Sequence, residues 1–99
     1  MVKLVEVFRG NGMGRPKIGF TLREIYVNPS HVSCMYEDVA MEHSLREGYL
    51  PDELDERQSF TKLQLSQGQT FYYISVVGDV DSISEKLGLS LRRRQLLHD

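Results

Sequence analysis

Tryptophan is absent, cysteine occurs once, and proline occurs only three times. The single thiol, Cys34, has no partner within the chain, so a disulfide scaffold is excluded and a reducing compartment is expected. No apolar run approaches the roughly 18–20 residues that span a bilayer. The opening segment meets Glu6 before the apolar core of a signal peptide develops. Charge of one sign is missing too: 12 Lys and Arg against 14 Asp and Glu leave a net charge of −2. That balance gives no global attraction to nucleic acid or to an acidic membrane surface. Repeats and low-complexity tracts are not seen. The expectation is a soluble cytoplasmic protein, in the host cell's cytoplasm if phage-encoded.

What is present suits one small domain. A chain of 99 residues holds a single modest core. The stretch Phe60 to Val77 organises it, reading as two strands folded on a turn at Gln67-Gly68. Thr61, Leu63 and Leu65 alternate with Lys62, Gln64 and Ser66. Phe71, Tyr73, Ser75 and Val77 alternate with Tyr72, Ile74 and Val76. Alternation bounded by a glycine turn is the pattern of a half-buried hairpin.

Upstream, residues 2–9 carry apolar groups on both faces, with Val2, Leu4 and Phe8 opposing Val5 and Val7, and predict a central or covered strand. Gly10 to Gly19 is too rich in glycine for a regular element and predicts an exposed hairpin loop. Residues 20–27 predict a second strand, broken by Asn28-Pro29-Ser30, and residues 31–36 a third. The second and third are expected to form a bent pair or a tight corner. Residues 37–59 form an acidic insertion, with a short helix over 39–47 ended by Gly48 and a helical turn over 52–56. Asp79 or Asp81 caps a helix over 82–87 that Gly88 stops, with Val80, Ile83 and Leu87 facing the sheet. Residues 89–99 make a basic tail, helical or frayed. The expected fold is α+β: a small, bent, partly rolled antiparallel sheet of four to five strands, a C-terminal helix and a short helical insertion, all within residues 1–88.

The asparagine-proline corner Asn28-Pro29, the segment Thr61-Lys-Leu-Gln-Leu-Ser-Gln-Gly68, and Ile74 to Val77 running into a closing helix together resemble the small FlbD-like family. Uncharacterised small proteins of tailed phages are similar. The resemblance covers about residues 20–87 and implies a fold of this strand-helix order. The long Gly10–Gly19 loop and the 37–59 insertion depart from it.

Several groups invite a chemical reading. The glycine loop with Arg9, Asn11, Arg15 and Lys17 suits an anion or nucleotide, although it leads into a strand and not the helix of a P-loop. His31 and Cys34 sit three apart in a strand and point to opposite faces, so no metal site is expected, and Cys34 is read as a small core residue. Tyr26, Tyr36, Tyr72 and Tyr73 suggest a stacking platform, but strand aromatics are expected to pack. The arginines 92–94 are read as a solvated helix end. No nucleophile elbow or acid-base constellation appears, so an enzyme is not expected, nor a cofactor.

Two functional expectations follow. The first is a non-enzymatic interaction protein, a phage or bacterial accessory factor binding a host or regulatory protein. It would use a strand edge or the acidic insertion through Glu42, Glu47, Asp52 and Glu53. The second is an oligomeric module that sequesters a small anionic or nucleotide ligand on the Gly10–Gly19 loop. A homo-oligomer is expected from the two-sided apolarity of residues 2–8 and 71–77.

Overall fold

A computed structural model of the chain describes residues 1–9, 19–51 and 54–88. The elements run β1 (Val2–Arg9), β2 (Phe20–Val27), a 3-10 turn (Pro29–His31), β3 (Val32–Glu37), α1 (Val39–Arg46), β4 (Phe60–Gln67), β5 (Thr70–Val77) and α2 (Val80–Lys86). The strands form one open antiparallel sheet of five, ordered β2-β1-β5-β4-β3.

Two long hairpins supply most of the pairing. Strands β1 and β2 pair from Val2↔Val27 to Arg9↔Phe20, and β4 and β5 from Phe60↔Val77 to Gln67↔Thr70. The ladder between the two hairpins is short, Glu6↔Val76 and Val7↔Ser75. A flat sheet would place β2 and β4 about 14 Å apart, three strand spacings. Instead Val27 of β2 shares one buried cluster with Leu4, Leu63, Leu65 and Val76. The sheet bends about its short seam, and this concave face holds the first core. Ile83 and Leu87 at the end of α2 complete it.

The second core lies on the convex face. Val7 and Phe60 pack with Met41 and Leu45 of α1 and with Leu50, and Phe20, Leu22, Leu54 and Val77 border them. Alternation along β1 therefore sends Leu4 to one core and Val7 to the other. The apolar second face of β1 and β5, which suggested a covering copy, is covered at this end by the chain's own helix.

α1 starts at residue 39 as the sequence predicts, whereas α2 starts at Val80, ahead of the expected residue 82. Asp38 caps α1 by accepting from the Met41 amide, and Asp79 caps α2 by accepting from Ser82. Gly48 and Gly88 follow their helices at positive φ.

Other expectations are corrected. Of the bent pair or tight corner expected for β2 and β3, the pair does not form: the two strands are opposite edges of the sheet, joined by a corner at Pro29–His31. A tight hairpin needs positive φ at its turn residues, which Pro29 cannot adopt. The Asn28 carboxamide oxygen instead accepts from the Ser30 amide and hydroxyl, fixing a 3-10 turn that carries the chain away. β3 consequently begins at Val32, with a register shift between Val32 and Cys34. In the insertion, residues 54–58 form turns (Leu54 N–H to Pro51 O, Gln58 N–H to Asp55 O) in place of the expected helical turn, of which residues 52 and 53 lie outside the described set. The tail 89–99 also lies outside it.

Candidate interaction surface and groove

The covering helices are short, and their reach decides what stays exposed. An eight-residue helix such as α1 spans about 12 Å, whereas an eight-residue strand of the β4–β5 hairpin spans roughly 26 Å. The α1 core sits near Phe60 and Val77, at the base of the hairpin. The far half, toward Gly68, is left without cover by the described residues.

Three consecutive aromatics occupy that half. Phe71, Tyr72 and Tyr73 expose 63%, 47% and 54% of their surfaces. Strand alternation puts Phe71 and Tyr73 on the convex face and Tyr72 on the concave one. Tyr36 on edge strand β3 and Tyr26 on edge strand β2 are also exposed. The expectation that these tyrosines pack is therefore overturned. Period-2 alternation identifies a strand but not whether a layer covers its second face. Cys34 is likewise exposed and not a core residue, its Sγ lying 3.1 Å from Gln64 Oε1 across the β3–β4 ladder.

A second feature opens beside the hairpin. A groove of about 510 Å³ runs between the β1–β2 ribbon and the outer half of β4–β5. Its apolar lining comes from Ile25, Leu65 and Ile74 with Tyr72 on the same face, and Tyr26 and Tyr73 border it from neighbouring positions. Glu6 and Arg23 also line it, from opposed positions on β1 and β2. The Arg23 Nε–H donates to Glu6 Oε1 at 2.7 Å, and the guanidinium lies 4.1 Å from the Phe8 ring centroid. Glu6 is buried with its side chain 9% exposed, while that of Arg23 is 55% exposed. Nothing in the sequence marked this pair except its parity: Glu6 shares the face of Leu4, an odd place for a carboxylate unless a cation meets it.

The residues singled out from sequence are scattered. Arg9 is exposed, its guanidinium 5.8 Å from the Phe20 ring centroid. Asn11, Arg15 and Lys17 lie outside the described residues, as do Asp52 and Glu53. Glu47 is exposed at the C-cap of α1, 3.5 Å from the His43 imidazole. Glu42, by contrast, is half-buried, and its Oε2 is shielded from solvent without a hydrogen-bond partner. Burial, then the neighbouring Glu37 carboxylate, raises the Glu42 pKa above its ordinary value. Asp79 shifts the other way, held low by the bonds it accepts from Ser82. Among the described residues no three His, Cys, Asp or Glu side chains gather where a metal ion would sit, and no helix is long and apolar enough to cross a membrane.

Comparison with family models, curated proteins and solved structures returns no match.

Proposed function

We propose that the protein is a non-enzymatic interaction protein, a bacterial or phage accessory factor that engages a protein partner through the aromatic half of the β4–β5 hairpin. The observation that supports it is the exposure of Phe71 and Tyr73 as neighbours on one face of β5. Tyrosine and phenylalanine are enriched where protein interfaces draw their energy, and contiguous exposed apolar surface marks such sites. Edge strand β3, with Tyr36 exposed, extends the candidate surface toward one side of the sheet. Of the acidic residues proposed for the partner, Glu47 remains accessible, whereas the Glu42 carboxyl faces inward. The partner is another protein or a further copy of this chain.

The test uses Phe71→Ser combined with Tyr73→Ser. Both side chains lie outside the two cores, so the variant keeps its fold by circular dichroism. Partner binding is expected to fall by at least about tenfold, since a central aromatic anchor contributes on the order of 2 kcal/mol. Undiminished binding by a folded variant would overturn the reading.

A further inference from the structure

We propose that the groove between the β1–β2 ribbon and the β4–β5 hairpin binds a small planar aromatic anion, beside the proposed protein-docking surface, which shares Tyr73 with it but not Phe71. Its size, about 510 Å³, falls in the range of small-molecule sites. Its composition is also that of such sites: apolar Ile25, Leu65 and Ile74, the aromatic Tyr72 on the same face, and a few fixed polar groups.

The sign of the ligand's charge follows from which valences are already used. Glu6 lies behind Arg23, nearly buried, and accepts from its Nε–H. Arg23 is held from two sides, by that carboxylate and by the Phe8 ring. Its two terminal nitrogens make no hydrogen bond among the described residues, so the cation presents its donor edge in front of the anion that neutralises it. Such an edge matches a carboxylate or phosphate. Asn28 adds to the same bias. Its Oδ1 already accepts twice from Ser30, which leaves its amide nitrogen as the available group, a donor. Arg23 and Asn28 therefore each leave a donor at the groove, and the ring of Tyr72, on the same face of β5 as Ile74, offers a π-face to a flat partner.

Phenyl phosphate is the probe, titrated into the full-length isotope-labelled protein and followed by amide and arginine Nε–H NMR shifts. Inorganic phosphate supplies the anion without the ring, and benzyl alcohol the ring without the anion. Saturable shifts are expected at Arg23 Nε–H and at Ile25, Asn28, Tyr72 and Ile74, with both comparators much weaker. Arg23→Gln should weaken binding by about tenfold or more, as loss of a charge-assisted pair does. Because that variant strands Glu6, Tyr72→Ser serves as a second, fold-preserving probe of the same groove. Absence of saturable shifts, equal binding of either comparator, or unchanged affinity in both variants would overturn the assignment. Phe71→Ser should leave phenyl phosphate binding intact, because Phe71 does not line the groove, so the two proposals fail separately.

Discussion

Asp38 ties a helix to the sheet with one carboxylate. Its Oδ1 accepts from the Met41 amide at the start of α1, and its Oδ2 accepts from the Ser75 hydroxyl on β5, with the residue itself 4% exposed. Asp38→Ala removes a cap and leaves a buried hydroxyl unpaired, so it should cost about 2–4 kcal/mol. Ser75→Ala should cost roughly 1 kcal/mol, and the double variant less than the sum. Urea unfolding of the four proteins measures this coupling; strict additivity would contradict it. Glu42 gives the opposite kind of prediction. A carboxyl whose folded pKa exceeds its unfolded one favours the fold while protonated. That contribution is complete below the ordinary value of 4.5 and is lost as pH rises through the folded value. Glu42→Gln should therefore raise the melting temperature at neutral pH and change it little near about pH 4. An equal change at both pH values would argue against it. Neither role was legible in the sequence, where both residues read as part of a solvated acidic segment. Burial depends on where α1 docks, which local pattern does not encode.

At the scale of elements, the strands, both helices and the Asp79 cap of α2 were readable because alternation, three-four spacing and cap chemistry are local. Leu63 and Leu65 against Lys62 and Gln64 predict a strand with one buried face, and that face is in the core. What could not be read was pairing between distant strands. The corner at Asn28-Pro29 looks the same whether the next strand folds back or crosses to the other edge. Exposure of the aromatics depended on helix length against strand length, a comparison that needs the register. The junction between β5 and α2 offers a check on element placement. Gly78, at φ +128°, donates to Ser59 O, and a Cβ there would lie 3.0 Å from Ile83 Cδ1. At Gly48, φ +85°, the same Cβ meets nothing within 4 Å. Gly78→Ala should cost at least about 2 kcal/mol, combining backbone strain with crowding, and Gly48→Ala about 1. Equal costs in chemical denaturation would mean that α2 does not pack against this turn.

At the scale of the whole molecule, two short helices cover one end of each face, and the far end of the β4–β5 hairpin is left as exposed aromatic surface beside an Arg-lined groove. The candidate sites chosen from sequence, Arg9 with Asn11, Arg15 and Lys17 and the acidic set from Glu42 to Glu53, were picked for polarity and charge, and the described members, Arg9, Glu42 and Glu47, are not brought together. The surface that the fold brings forward is built instead from strand residues that looked like ordinary core. The most direct measurement is a quantitative capture comparison between the wild-type protein and the Phe71→Ser, Tyr73→Ser variant. Both baits are exposed to one bacterial extract containing an isotope-labelled copy of the chain, so that self-association and foreign partners are read together. The account predicts a specific protein, or the labelled copy, enriched on the wild type and lost from the equally folded variant. Identical captured sets on the two baits would contradict it.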